Sequence, residues 1–525
     1  MSSKVSIAVT NEPLAVREKF DPKTGIKRGL KQRHISMMAL AGIMGPGVFL
    51  GMGVALHEGG PVGLIAGFAI VGVLIMGMMT SIGELNGMFD FNFNTHACRW
   101  VDPAFGAALG WIYVIVWLCN IFAEYVSLTS ILSTYSDKVP MYGYYLIFWF
   151  VFSIYQMLGV DVFGEVEYIL AFLKVLFISG YYLFSIIYAA GGIKNHSPGN
   201  LFKEYPLAHG FKGIVNSFVF AGAFYTGIES LSVTFSESKQ VESAVKSAVR
   251  QSVFRIFYVY FGLSISYGIS VAWNDPGLSS TETALKSPMT IALTNAGWKN
   301  SKYYITTIVL ITCLSSINSA IYFSARCLFR LSSEGYAPKI FKNVSKRGVP
   351  WVATHTVHLF GFLSLLAMSQ GASDAYTYLV NIGGVGAFIA WTAIVYTHLR
   401  FRKGWLRQGN SLEDLPYKAP FYPYFNYISL GLGILLCLVQ GWSVFVPFSG
   451  ANFVDVYIII PFFFILWIGY KLCLKTKWVK YEDMDFISGK NNMAACDESI
   501  SEEPQYMDVP KVSNETWFRK LWSSI

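Results

Sequence analysis

About twelve runs of roughly twenty predominantly apolar residues follow one another along this chain, each long enough to cross a ~30 Å hydrocarbon core as a helix. A segment in lipid must satisfy its own backbone polar groups, which leaves helices or closed barrels. Barrel strands would read as alternating segments of about ten residues, and the chain has no such pattern. The sequence therefore predicts an all-α integral membrane protein. The spans fall at roughly 35–56, 61–86, 104–134, 141–160, 162–190, 211–236, 250–273, 302–332, 352–370, 376–399, 425–447 and 453–474. Composition agrees: 14% of the 525 residues are charged, against about 25% in soluble domains.

Three parts follow: a tail at 1–34, a twelve-helix domain at 35–474 and a second tail at 475–525. The first tail is polar and carries no cleavable signal peptide, so span 1 is expected to act as the insertion signal. The second is acidic around Asp497 to Glu503 and is expected to lack fixed structure. An even number of spans puts both tails on one side. With the N-terminus cytoplasmic, 32 of the 40 Lys/Arg lie on the inner side, seven on the outer, and Lys174 within a span. That asymmetry predicts cytoplasmic termini. It also accounts for the net charge of +8, since the cations sit in separate loops rather than on one nucleic-acid-binding face.

None of the seven cysteines lies in an outer loop, and no CxxC pair occurs. Disulfides and structural zinc are therefore not expected. Asn195-His-Ser197 is an outward-facing glycosylation sequon followed by Pro198.

Two spans are irregular. Span 1 contains Gly42, Ile43, Met44, Gly45, Pro46 and Gly47 mid-run; span 6 has Gly222 and Gly227 around an aromatic pair. Four spans separate them, and paired Gly/Pro interruptions at corresponding places point to inverted repeats with a midplane site. Unwound backbone there leaves polar groups that hydrocarbon cannot satisfy and a polar ligand can. Close helix packing is the alternative. It suits Gly51 and Gly53, whereas Pro46 fits best at the first position of a new helical segment.

Several stretches carry a family resemblance: Arg28-Gly-Leu-Lys-Gln-Arg-His-Ile35, Val101-Asp-Pro-Ala-Phe-Gly106, Phe163-Gly-Glu-Val-Glu167, Ala337-Pro-Lys339 with Arg347-Gly-Val-Pro350, and Tyr396-Thr-His-Leu-Arg400. From about residue 21 to 475 the chain resembles the fungal amino-acid permeases (YAT-type) of the amino acid–polyamine–organocation superfamily. The resemblance implies a LeuT-type five-plus-five inverted repeat with two additional C-terminal helices and broken helices 1 and 6. It implies proton-coupled amino-acid uptake at the plasma membrane by alternating access, with the proton as coupling ion and no cofactor. The substrate carboxylate would meet amides around Gly42 to Gly47. Its ammonium would meet carbonyls at Phe220, Ala221, Gly222 and Ala223, with Phe224 as an aromatic gate unless that ring only packs. The chain departs from the family pattern at Gly45-Pro46-Gly47, where Gly-Thr-Gly is frequent, and at Phe89-Asp-Phe-Asn-Phe-Asn-Thr-His96, where a Ser/Gly-rich stretch is usual.

Ionisable residues deep in a span are functional candidates because burial is costly. Lys174 lies mid-span 5, where the resemblance places a lysine in the position of a sodium ion; it is either the coupling group or half of a structural ion pair. Glu124 and Glu229 are inward candidates for bracing or proton relay. Glu167 lies on the face of Lys174 but ~10.5 Å along the axis, out of direct reach. It and Glu165 are expected near the inner mouth as solvated or capping groups. Arg326, with Asn318 in the same motif, is expected to close an inner gate against Glu84 or Glu237. Asn381 and Trp391 either line the pathway or pack.

The leading function is amino-acid transport. An amino-acid sensor with a transporter fold, an exchanger, and a carrier of an amino-acid derivative are the alternatives; no enzyme or metal-site spacing is present. Expected partners are the substrate and the bilayer. Exposed tail lysines, Lys4, Lys19 and Lys511 among them, would be accessible to ubiquitin-ligase adaptors.

Overall fold

A computed structural model describes residues 24–490 except 43, 134, 137, 194–195, 280–286, 369–371 and 446, with the side chains of 219, 366–368, 372–377 and 443 also left out. Ile43, Asn195, Cys496, the three tail lysines and the acidic stretch at 497–503 thus lie outside the described residues.

The described chain is helical throughout its apolar runs. Eight helices are long and apolar enough to cross a membrane, and Gly450–Tyr457 with Ile459–Leu474, bent by 49°, makes a ninth among the described residues. The remaining spans are interrupted or short. Span 9 passes from Trp351–Leu359 into the tighter Phe360–Met368, and span 11 is the 16-residue helix Tyr424–Val439. Span 1 is broken, and its second half runs into span 2 within the helix Gly51–Met88.

That junction is Gly60, with φ of 69°, a left-handed conformation that favours glycine. A Cβ there would lie 2.8 Å from the Ala208 amide nitrogen, so the corner also needs glycine for space.

Span 1 breaks where its sequence predicts. Gln32–Met37 continues into the wider turn Met38–Gly42, Gly45 is extended, and Pro46 opens the next helical segment. Proline's missing N–H is harmless at that first position. Span 6 runs as Phe211–Tyr225, breaks at Thr226 and left-handed Gly227, and resumes at Ile228. The break therefore lies beyond the Phe220–Ala223 carbonyls anticipated from the resemblance; the Gly222 carbonyl, for one, accepts the Thr226 amide within a regular helical turn.

Burial sorts the spans into layers. The apolar windows of spans 3, 6 and 8 are 78%, 82% and 83% buried, whereas those of spans 4 and 5 are 17% and 28%. Phe150, Phe172, Leu183 and Ile186 on the outer spans are exposed, as a lipid-facing surface requires. Span 3 packs against spans 8 and 10, and span 2 against the first half of span 6.

Both ends of the described chain close one face. Leu30 pairs through its backbone with Glu237 and Lys239 at 3.1 Å each. Around it Lys27 binds Asp161, Arg28 reaches Asp90 at 3.3 Å and Arg33 reaches Glu165 at 2.5 Å. From the other end, the Gly489 carbonyl accepts the Asp90 amide at 3.2 Å and Asp485 binds Arg99 at 2.7 Å. Met484 and Phe486 are buried with Phe89, Phe91 and Trp100. Residues 478–490 are therefore packed, where the polarity of the tail predicted no fixed structure. Trp100, Phe401 and Trp405 meet the Phe486 ring, and Phe89 and Phe91 of the atypical stretch belong to the same cluster.

Candidate functional site

The gap in span 1 opens onto a cavity of ≈ 60 Å³ between spans 1, 3, 6, 8 and 10. A buried water needs about 10–15 Å³ by this measure, so the space holds a few waters. Gly45, Gly47, Val48, Ala223, Phe224 and Thr226 line it from the two breaks. Span 3 contributes Asn120 and Glu124, and span 8 contributes Ser316. Gly45 permits a close approach: a Cβ there would lie 2.6 Å from Glu124 Oε1. Ser316 donates to that same oxygen at 2.9 Å, while Glu124 Oε2 and Asn120 Oδ1 have no partner among the described residues. Phe220, Ala221 and Gly222 do not line this cavity.

Lys174 is fully buried beside the other edge of the break. Its Nζ lies 3.3 Å from the Ala41 carbonyl, 3.0 Å from those of Gly42 and Met44, and 2.8 Å from Ser315 Oγ, so three N–H groups are shared among four acceptors. The unwound stretch thus presents Gly42 and Met44 to the lysine. Ser315 in turn donates to Glu167 Oε2 at 2.6 Å, and Asn318 to Glu167 Oε1 at 2.6 Å. Gln156 completes the group, donating to the Asn318 side chain at 2.8 Å. Glu167 is fully buried, a correction to the solvated or capping role expected of it. Glu165, three-fifths buried, pairs with Arg33 instead.

Glu229 braces the break in span 6. Its carboxylate accepts the Gly227 amide at 3.1 Å and the Trp391 indole N–H at 2.8 Å. Asn381 donates to Asp455 at 2.6 Å. Phe224 lies against Gly47 and Gly51, where no Cβ would fit. Its carbonyl accepts the Tyr260 hydroxyl at 2.6 Å, and that hydroxyl accepts Arg255 Nη2 at 2.6 Å. Arg255 is fully buried in span 7 with no carboxylate partner among the described residues. Sequence reasoning placed it among the loop cations and so missed it.

Of the two partners expected for Arg326, Glu237 is the one it meets. Arg326 Nε binds Glu237 at 2.8 Å, with the guanidinium 3.6 Å from the Tyr322 ring centroid. Glu84 is not its partner: Arg402 takes both Glu84 oxygens at 2.6 and 2.7 Å, and the Ala419 amide donates at 2.8 Å. Glu84 ties span 2 to span 10 and the following loop. Asn120, Ser315 and Gln156 were also missed. The Asn120-to-Glu124 spacing, one helical turn on one face of an apolar span, was the available signal.

Two broken helices meeting at a small cavity that holds a few polar groups, with a buried cation at one break and a buried carboxylate at each, define a multi-pass membrane transporter. The amino acid permease family model matches residues 34–482, and the chain belongs to that family. It is 59% identical to an uncharacterized amino-acid permease of Schizosaccharomyces pombe over all of this chain and 97% of that protein. Identity to the general amino acid permease AGP3 of Saccharomyces cerevisiae is 46%, over 86% of this chain and 82% of the relative. To the lysine-specific permease LysP of Escherichia coli it is 31%, over 88% and 96%. The chain is a fungal-type amino-acid permease, a transporter rather than an enzyme.

Proposed function

We propose that this permease takes up amino acids across the plasma membrane by alternating access, in symport with a proton carried by Lys174. One observation carries the reading: Lys174 Nζ holds three carbonyls of the same unwound stretch that borders the cavity. A protonated lysine has three N–H groups to share among these carbonyls and Ser315, and a neutral one has two. Proton occupancy and the shape of the substrate site are therefore linked, which is what coupling requires.

The substrate carboxylate would lie at the start of the second half of span 1, where Gly47 and Val48 line the cavity behind Pro46. Amides at a helix N-terminus favour an anion. Glu124 faces the cavity as the substrate-side acid, and Glu229 holds the span 6 break. The Arg326–Glu237 pair closes the cytoplasmic side. Ubiquitin-ligase adaptors would act on the tails, where Lys4, Lys19 and Lys511 are the acceptors.

The test is radiolabelled amino-acid uptake into permease-deficient cells expressing wild type and Lys174→Ala, with external pH varied. Uptake that rises with acidity, collapses with an uncoupler and disappears in the variant is expected. Acid-driven uptake that survives in the variant removes Lys174 from the mechanism. Surface-localised wild type that takes up no amino acid overturns the reading.

A further inference from the structure

Two buried oxygens in the cavity await donors. Asn120 Oδ1 and Glu124 Oε2 have no partner among the described residues, and both line the same space. They lie four residues apart, one turn of span 3, so they face the cavity from a single helix surface. Glu124 is 7% exposed, and buried acceptors are ordinarily satisfied. Donors for them are available from whatever occupies the cavity, water or substrate.

We infer that span 3 reads the side chain of the substrate, and that the site selects uncharged side chains ending in a hydrogen-bond donor, a hydroxyl or a carboxamide. This rests on the transport reading for the cavity's use, and adds the class it accepts. The α-ammonium supplies the donor for one oxygen, Glu124 Oε2, which leaves Asn120 for the side chain. An acidic side chain is refused by charge: it meets the Glu124 carboxylate with no Lys, Arg or His among the lining residues. An aliphatic side chain leaves Asn120 unmet, and sites built around such a bond discriminate strongly against analogues lacking it. Room for a few waters suits a short side chain better than the long ones of lysine and arginine.

The experiment measures ligand-induced thermal stabilisation of the purified full chain in detergent, beside competition for uptake in cells. Threonine against valine and asparagine against aspartate are the decisive pairs, because each pair is nearly isosteric. Threonine is expected to bind about tenfold more tightly than valine, asparagine to exceed aspartate, and lysine to bind worse than threonine. In Asn120→Leu, checked for monodisperse elution and a cooperative melt, the threonine-to-valine ratio falls toward one. Equal threonine and valine binding by wild type overturns the inference, as does lysine outcompeting threonine or a ratio unchanged in Asn120→Leu. The expected binding order without any uptake would overturn the transport reading alone.

Discussion

Lys174 and Glu167 share one face of span 5 without touching: the Ser315 hydroxyl of span 8 stands between them, 2.8 Å from Lys174 Nζ and 2.6 Å from Glu167 Oε2. The serine accepts from one and donates to the other, so it fixes both groups against the break in span 1. Removing a hydrogen bond to a charged group costs about 1.5–3 kcal/mol. Ser315→Ala is expected to lower maximal uptake roughly tenfold or more at unchanged surface abundance, while Ser315→Thr keeps most of it. Equal uptake by the alanine variant and wild type at both pH 5 and pH 7 would remove the serine from the coupling group.

Arg326 and Glu237 form a buried pair between spans 8 and 6. Breaking such a pair by removing one partner costs about 3–5 kcal/mol, because the other charge is left buried. Arg326→Gln is expected to raise labelling of a cysteine introduced at Val233 by a thiol reagent applied from the cytoplasmic side, and to reduce uptake. Unchanged labelling together with unchanged uptake would rule out a gate.

Tyr260 connects Arg255 to the Phe224 carbonyl at the cavity wall. Tyr260→Phe leaves a buried guanidinium without its main acceptor and is expected to lower the melting temperature in detergent. Arg255→Met in that background is expected to recover part of the loss, since the charge and its partner are then removed together. Strictly additive losses would show that the two side chains act independently.

Asp485 anchors the C-terminal segment outside the membrane. Burial works to raise its carboxyl, but the Ser488 hydroxyl, the Ser488 and Ile487 amides and the Arg99 guanidinium bring it down to about 2, from an ordinary 3.8. A carboxyl lowered by folding contributes stability above its unfolded value, and loses it as pH falls through the folded one. Docking through this group is therefore complete above about pH 4 and is lost toward pH 2. Hydrogen exchange across 478–490 is expected to show the same protection factors at pH 5 and pH 7.5. In Asp485→Asn, protection should drop at both. A marked pH dependence in the wild type would place the control of docking elsewhere.

Much of the bundle was legible because its signals are local. Twelve apolar runs, the Gly45-Pro46-Gly47 interruption and a lysine in the middle of span 5 each lie within one segment, and the hydrocarbon core constrains each segment separately. For span 6 the sequence offers both Gly222 and Gly227 as interruptions, because the two are equivalent in sequence. Only Gly227 takes a positive φ, while Gly222 packs within regular helix. The same limit applied to the tail beyond span 12. Its composition reads as unstructured, yet Trp100, Phe401 and Trp405, together with Phe89 and Phe91, provide the cluster in which Met484 and Phe486 are buried.

By itself the sequence determined that this chain spans a membrane as helices, where the first span unwinds, and that Lys174 is buried there. Only the tertiary structure decided the partners. Glu84 went to Arg402 and Glu237 to Arg326, Ser315 came between Lys174 and Glu167, and Asn120 and Glu124 were left facing a cavity. The reason is geometric: spacing along one helix fixes which residues share a face, but the group opposite that face comes from a helix 89 to 318 residues away. Packing alone brings it within the ~3 Å that a hydrogen bond requires.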